Sequence, residues 1–245
     1  MIYVGVLFSL GSSMLFWSAF MRASGWIIAA IGAVALSFTA FAMPGADQVN
    51  TLYAPVIRLL LVPCHTNAWQ VFYPIIPWLG VTAMRILMGR LLARDAILAM
   101  RTAGRVALAL GCLFVAIRLG GGLGNLNVVP PGFLGFFTVV KYPPSLAYLC
   151  ITLAINLLVM SQWNRLESIA AAPGNPLLVF GQCAMMFYLV HLWVYAVLGL
   201  IFRNGSSLVG MYGMWLVGLV IMYPFCKWYK AFKRTTPTDS FWRFF

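Results

Sequence analysis

The sequence predicts an all-α fold, a polytopic transmembrane helix bundle of about seven spans with one short interfacial or re-entrant helix. Of the 245 residues, 63% are hydrophobic and only 8% are charged, and the mean hydropathy is +0.94. A soluble domain of this length would lack the polar residues needed to cover its surface. The apolar runs are continuous rather than alternating, which favours membrane helices over a membrane barrel.

About 20 apolar residues cross the hydrocarbon core of a bilayer, so the apolar runs define the predicted helices. The seven predicted spans are 2–21, 25–43, 71–92, 104–119, 144–162, 176–202 and 207–229. The apolar run 54–62 is too short to cross and is predicted as the interfacial or re-entrant helix. The Gly-rich loop 120–132 is predicted to lie outside the bilayer, and 133–140 to dip back into it. The chain 1–245 is predicted to form a single transmembrane domain that ends in a basic cytoplasmic tail, 230–245.

Charge sets the predicted orientation of these helices. Sixteen Lys and Arg against four Asp and Glu give a net charge of +12. The basic residues sit in short connections and in the tail, where they meet lipid headgroups, so the lipid bilayer is a predicted partner and nucleic acid is not. The positive-inside rule places the connection 85–105 and the C-terminus in the cytoplasm. The opposite face then holds six polar residues, namely Asp47, Arg58, His65, Arg118, Lys141 and Arg203.

The stretch Lys141–Pro144 joins two apolar runs on that outer face. Pro143 and Pro144 are tolerated only in the first turn of a helix, and a residue before proline is pushed toward extended geometry. Lys141 and Tyr142 should therefore stand on non-helical backbone at the mouth of a membrane helix. Two interpretations stay open, an interfacial anchor or the rim of a site for a polar ligand. Pairing of Lys141 with Asp47 would belong to the second.

Two polar stripes lie within predicted spans. Tyr188, His191 and Tyr195 share one helical face by their i, i+3, i+7 spacing. An ionisable group at the bilayer centre costs roughly 2.5–3.5 kcal/mol on insertion scales, so we expect His191 to have a structural or functional role there. It either bonds to a neighbouring helix or faces a substrate cavity as a general base or hydrogen-bond donor.

The second stripe runs along the fifth predicted span. Ser145, Tyr148, Thr152 and Asn156 fall on one face, and interhelical hydrogen bonds or the lining of the same cavity would both explain them. Arg85 lies in the third span, where snorkelling of its side chain to the headgroups is the default explanation. None of the five cysteines pairs at metal-ligand spacing, so no metal site is predicted.

Three segments in order resemble one family. They are Tyr73–Gly80 (Y-P-I-I-P-W-L-G) with Gly89-Arg90, Lys141–Leu146 (K-Y-P-P-S-L) with Tyr148, and Pro176–Gly181 (P-L-L-V-F-G) followed by Phe187–His191 (F-Y-L-V-H). The chain resembles, over essentially its whole length, bacterial membrane proteins related to the catalytic domain of heparan-α-glucosaminide N-acetyltransferase. The resemblance implies a multi-pass acyltransferase in the bacterial cytoplasmic (inner) membrane. Its best-known member moves an acetyl group from cytosolic acetyl-CoA to a glucosamine amine across the membrane.

Family members normally begin with an Asp-x-x-Arg-Gly helix, followed by a histidine and a Phe-Leu-x-Gly span, and this sequence has neither. The resemblance therefore implies the C-terminal portion of the family domain, with about three leading helices absent. The catalytic histidine of the lysosomal enzyme is not carried over, and His191 is a candidate whose family position has no known role. A homo-oligomer, or a partner chain that supplies the missing helices, would be compatible with this expectation.

The leading functional hypothesis is transfer of an acetyl or other acyl group from acyl-CoA to a sugar or glycan on the outer face. No bound cofactor is predicted, because acetyl-CoA or another acyl-CoA would be a co-substrate. Its phosphates are expected to meet Arg90, Arg94, Arg101 and Arg105. The residues expected to contact substrate are Tyr73, Lys141, Tyr142, Tyr148, Asn156, Tyr188 and His191. Two alternatives stay open, a membrane carrier for an anionic or amphiphilic solute and a truncated, inactive chain.

Overall fold

The computed structural model describes residues 2–42, 55–65, 69–142, 144–170, 172, 174–201 and 207–244. The chain divides into two compact units, Met1–Trp163 and Asn164–Phe245, and each is considered by itself. The predicted residues Asp47, Pro143 and Arg203 lie outside the described residues. The proposed pairing of Lys141 with Asp47 therefore stays a prediction.

The first unit is a helical bundle with a small sheet at one end. Its elements are β1 (Ile2–Val4), α1 (Val6–Ser18), α2 (Gly25–Ala42), α3 (Pro55–Leu60), β2 (Cys64–His65), β3 (Trp69–Val71), α4 (Ile75–Arg94), α5 (Ala96–Gly120), α6 (Phe133–Phe137) and α7 (Leu146–Ser161). The helix α8 (Trp163–Ala170) begins at the boundary between the units. The predicted short helix in the 54–62 run is confirmed as α3.

Small residues let the helices of this unit pack closely. Ala103 and Ala107 on α5 are buried against Leu157 on α7. Where α2 meets α4, a Cβ added at Gly32 would lie only 2.6 Å from Ala83 Cβ. Close backbone approach through small residues is typical of helix association in membranes, because apolar side chains gain little by leaving lipid for another helix.

A three-stranded sheet, which the hydropathy pattern did not predict, stands beside the starts of α1 and α4. The strand β3 lies in the middle, parallel to β1 and antiparallel to β2. The prediction that residues 2–21 form one span was wrong at its start, because residues 2–4 pair with β3 and α1 begins only at Val6. The helix α1 is therefore 13 residues long.

The connection between α4 and α5 is a single residue. Asp95 ends α4, and its side chain accepts a hydrogen bond from the Leu98 backbone N–H at 2.9 Å. The sequence predicted a loop here and a short span at 104–119. That prediction was wrong, because the capped helix α5 begins at Ala96 and runs for 25 residues.

The second unit contains α9 (Pro176–Gln182), α10 (Ala184–Ile201) and α11 (Leu208–Thr235), with a 3₁₀ turn at Phe241–Phe244. The predicted span 176–202 is broken at Cys183, whose φ and ψ of −123° and 26° leave the helical region. The residues predicted as a basic tail continue α11 and then fold back onto it. Tyr229 Oη donates to the Trp242 carbonyl at 2.7 Å, and Arg243 Nε donates to the Thr236 carbonyl at 2.9 Å.

The predicted membrane architecture is confirmed in outline. Among the described residues, five helices are long and apolar enough to cross a membrane, and two shorter apolar helices accompany them. The five long helices are α2, α4, α5, α10 and α11, and the shorter two are α1 and α7. The fold is all-α apart from the small sheet.

Candidate functional site

Three of the predicted substrate contacts meet where α4 and α7 both begin. Tyr142 Oη donates to Tyr73 Oη at 2.8 Å, although the residues are 69 positions apart in the chain. Lys141 Nζ lies 5.0 Å from the centroid of the Tyr142 ring and 5.9 Å from that of Tyr73. Phe72 and Trp78 pack against these rings at centroid distances of 5.5 Å and 5.1 Å. We call these five residues, Phe72, Tyr73, Trp78, Lys141 and Tyr142, the rim cluster.

Turn chemistry in the sequence positions both halves of the rim cluster. Tyr73 precedes Pro74, which is the N-cap of α4 with φ −63° and ψ 150°. On the other side, Ser145 caps α7, and its Oγ accepts from the Tyr148 N–H at 3.0 Å. The Ser145 N–H donates to the Val140 carbonyl at 3.0 Å, which closes the turn that carries Lys141 and Tyr142. The predicted helix start at Pro144 was wrong by two residues, because the Ser145 cap places the start of α7 at Leu146.

The rim cluster offers both charge and hydrogen-bonding groups. Burial raises the pKa of the Tyr73 phenol above its ordinary value, and the nearby Lys141 ammonium acts against that rise. Tyr73 therefore stays protonated at neutral pH. Because its oxygen already accepts a bond from Tyr142, its own hydrogen can be donated to a third group. The Trp78 indole N–H is buried and has no acceptor among the described residues.

A cavity of about 380 Å³ lies between α4 and α7. Its wall on α4 runs from Val81 to Leu92, and its wall on α7 runs from Leu153 to Met160. Most of the lining is apolar, and Arg85 and Asn156 supply its polar groups. Asn156 Nδ2 donates to the Thr152 carbonyl at 2.7 Å on its own helix. Arg85 and Asn156 therefore share one cavity, which the sequence did not predict for Arg85.

The polar stripe of α7 bonds within its own helix. Thr152 Oγ1 donates to the Tyr148 carbonyl at 2.7 Å, and Ser145 forms the cap. In the described residues these groups form no bond between helices. Tyr148 is half-buried, and its role in substrate binding stays a prediction.

The four predicted CoA contacts lie around the α4–α5 turn but differ in their surroundings. Arg90 Nη1 donates to the Ala23 carbonyl at 2.8 Å and Nη2 to the Met21 carbonyl at 2.6 Å, so Arg90 holds the connection between α1 and α2. Arg94, Arg101 and Arg105 are exposed. Arg101 and Arg105 stand one turn apart on α5. Because both side chains are exposed, they are available to an anionic ligand.

Arg118 is a structural residue that the sequence analysis placed only on the outer face. It is 3% exposed near the end of α5 and donates three hydrogen bonds of 2.7 Å, to Asn125 Oδ1 and the carbonyls of Gly135 and Phe136. These bonds fasten the 122–137 segment onto α5. An arginine at the end of an apolar run is typical of snorkelling as well, so the sequence offered no distinguishing signal.

His191 lies in the second unit, stacked on Phe187 with an interplanar angle of 9° and a centroid distance of 5.5 Å. Its Nδ1 is 3.1 Å from the Phe187 carbonyl. A carbonyl oxygen only accepts, so Nδ1 carries a proton in this contact. Tyr188 and Tyr195 contact the same ring, which confirms the shared helical face. That Tyr188 and His191 belong to the same site as Asn156 stays a prediction.

Comparison with known proteins bears on the first unit. Residues 1–117 match the family model described as "Heparan-alpha-glucosaminide N-acetyltransferase, catalytic". No curated protein and no solved structure matches the chain. The matched region includes Tyr73–Gly80 and Arg90, whereas the motifs at Lys141 and His191 lie beyond it. Over the region that runs from β1 to most of α5, the chain is therefore similar to the catalytic domain of this family of transmembrane acetyltransferases.

Proposed function

We propose that this protein is an integral membrane acyltransferase that moves an acetyl or other acyl group from acyl-CoA to an extracytoplasmic sugar or glycan. The observation that carries the proposal is the placement of the rim cluster above the cavity, between the same two helices. The family match over residues 1–117 supports it, since that family uses acetyl-CoA as its acyl donor. The proposed location is the bacterial cytoplasmic membrane, with the C-terminus in the cytoplasm.

Helix geometry gives the depth of the cavity. Arg85 lies ten residues after Ile75 on α4, and Asn156 lies ten residues after Leu146 on α7. At 1.5 Å per residue, both are about 15 Å along their helices from the first residues of α4 and α7, which is half of a hydrocarbon core of about 30 Å. From Val81 to Leu92 the cavity extends about 16 Å toward Arg94 on the same scale. An acyl chain that enters from the arginine-bearing end would reach the middle of the membrane.

The rim cluster has the groups that a sugar acceptor requires. Aromatic faces pack against the apolar C–H face of a sugar ring, while the Tyr73 hydroxyl and the Lys141 ammonium donate hydrogen bonds to its oxygens. The buried Trp78 indole N–H, which has no acceptor among the described residues, lies close to these rings. Lys141 would also exclude a cationic acceptor, so the acceptor amine must arrive neutral or the acceptor must be a hydroxyl.

The proposed reaction is a nucleophilic acyl substitution. The acceptor nitrogen or oxygen forms a bond to the thioester carbonyl carbon, and the carbon–sulfur bond breaks. The proton lost by the acceptor ends on the departing CoA thiolate or on a base. His191 stays the candidate catalytic residue predicted from the sequence.

Calorimetry with purified protein tests the donor half of the proposal. We expect acetyl-CoA to bind the wild-type protein, and the Arg101→Gln/Arg105→Gln double variant to bind it at least tenfold more weakly. The matched control is Arg22→Gln/Arg165→Gln, which removes the same charge from two other exposed positions. Absence of binding by any acyl-CoA would refute the donor assignment.

The acceptor half is tested in proteoliposomes. We expect labelled acetyl groups from external acetyl-CoA to appear on glucosamine inside the vesicles, and the Tyr73→Phe/Lys141→Met variant to lose this transfer. Uptake of solute without any acyl donor would instead identify a carrier. A wild-type protein that binds acetyl-CoA but transfers nothing to a sugar panel would overturn the acceptor assignment alone.

A further inference from the structure

The second unit contains a cleft with three cationic side chains that the proposed reaction does not use. A cavity of about 740 Å³ lies between α9 and the last turns of α11. Its lining includes Gln182, Lys227, Lys230 and Arg234, with Leu178 and Val179 forming its apolar wall. We call these six residues the basic cleft. We propose that the basic cleft binds the phosphate headgroup of an anionic phospholipid.

Helical spacing concentrates the positive charge on one face. Lys227, Lys230 and Arg234 follow each other at i, i+3 and i+7, so their side chains stand in one row along α11. Across from them, α9 presents the Gln182 amide, a neutral donor that can complete the coordination of a phosphate. Three cations and an amide converging on one cavity match the charge and the several oxygens of a phosphate group.

The described residues supply no internal counter-charge for this row. In 164–245 the acidic residues are Glu167 and Asp239, and both are exposed. Neither lines the basic cleft, and the described residues contain no ion pair made by the three cations. Like charges spaced one turn apart repel each other, so an anion from outside the chain would stabilise the arrangement.

The walls of the basic cleft are held in place by bonds between α9 and α11. Tyr223 Oη donates to the Gly174 carbonyl at 2.6 Å at the start of α9, and Cys183 Sγ contacts the Cys226 carbonyl at 3.4 Å at its end. Val179 and Cys226 are buried in the core between these helices. The two helices that form the walls of the cavity are therefore held together by packing and hydrogen bonds.

The neighbouring aromatic residues favour a lipid over a free phosphate as the occupant. Trp228 and Trp242 remain 60% and 50% exposed, and both contact Phe232, which lies in the same turns of α11 as the lysines. Exposed tryptophans at the end of an apolar helix are typical of the membrane interface, where the headgroups lie. The apolar wall at Leu178 would then contact the glycerol and upper acyl region.

Native mass spectrometry of the full protein tests the proposal, with short-chain phosphatidylglycerol compared with phosphatidylcholine. We expect phosphatidylglycerol to be retained preferentially, and Lys227→Gln/Lys230→Gln/Arg234→Gln to bind it at least tenfold more weakly. The matched control, Arg22→Gln/Arg165→Gln/Lys233→Gln, removes the same charge from outside the basic cleft and should keep the preference. Equal retention of both lipids by the wild-type protein would overturn the proposal.

Two further arms keep the result interpretable. The charge-preserving variant Lys227→Arg/Lys230→Arg should fold and retain the lipid preference, which separates loss of charge from loss of structure. Titration with CoA in detergent identifies the other source of phosphate. If the triple glutamine variant lost CoA binding while it kept its preference for phosphatidylglycerol, the basic cleft would be a soluble-phosphate site and the lipid assignment would be wrong.

Discussion

At the scale of single residues, Arg118 is buried without a carboxylate partner among the residues that the structure describes. Its guanidinium donates to one side-chain amide and two backbone carbonyls, and its side chain lies 5.9 Å from the Phe136 ring centroid. The carbonyls it satisfies belong to a segment that has only one short helix of its own. The arginine therefore replaces secondary structure as the partner of those groups.

Arg118→Ala should lower the free energy of unfolding by about 3 kcal/mol, because three buried acceptors lose charge-assisted hydrogen bonds. Reversible unfolding from detergent micelles, followed by circular dichroism, measures the change. The control is Arg105→Ala on the exposed face of the same helix, where we expect a change within about 0.5 kcal/mol. Equal stabilities for the two variants would show that the Arg118 bonds contribute nothing net.

The shifted pKa of Tyr73 gives a second test at this scale. Burial raises the folded-state pKa above the unfolded value, so the folded protein keeps this proton longer. The contribution of Tyr73 to stability is therefore complete below the unfolded pKa and is lost as the pH rises through the folded one. Lys141→Met removes an opposing charge and should raise the pKa further. Difference titration of tyrosinate absorbance against Tyr73→Phe checks the direction, and a lowered pKa in the lysine variant would contradict it.

At the scale of elements, the capping residues determine where helices begin, which hydropathy alone does not show. The apolar runs correctly indicated α2, α4 and α11, since burial in lipid requires long apolar segments. The run 176–202 contains α10 but did not show the break at Cys183. The apolar runs misplaced the starts of α5 and α7, because Asp95 and Ser145 act through single hydrogen bonds that hydropathy does not register. The sheet was missed because three strands of two or three residues carry no periodicity.

The cap of α7 also sets the position of the rim cluster. Ser145→Ala should destabilise the protein by about 1 kcal/mol and should reduce acyl transfer more than tenfold, since the turn holding Lys141 and Tyr142 loosens. Ser207→Ala, which removes the exposed cap of α11, is the matched control. It should cost similar stability and leave transfer intact. Parallel losses of activity in both variants would mean that only global stability matters.

At the scale of the whole molecule, positive charge is unevenly distributed along the membrane normal in the proposed orientation. Impermeant maleimide labelling checks that orientation in a background in which the native cysteines are replaced by alanine. Val128→Cys, at a position 88% exposed in the loop after α5, should react in intact cells. Ser240→Cys, in the turn after α11, should react only in inverted vesicles. The reverse pattern would invert the proposed topology.

The sequence predicted some residues of the candidate site and did not predict others. Tyr73, Lys141 and Tyr142 were predicted for one site, and the structure brings them together. Their role as substrate contacts stays a prediction. Trp78 and Phe72 were not predicted, since they look like ordinary residues of an apolar run. The presence of Arg85 and Asn156 in one cavity depends on how α4 and α7 are placed relative to each other, which no local pattern encodes.

The buried indole of Trp78 has a practical consequence for detecting ligands. Its N–H has no acceptor among the described residues, and its ring lies 5.1 Å from that of Tyr73. An acceptor bound in the rim cluster would change the polarity around this indole, so the difference in fluorescence emission between wild-type protein and Trp78→Phe should respond to sugars. A screen of sugar libraries could then proceed optically, without acyl donor and without knowledge of the reaction.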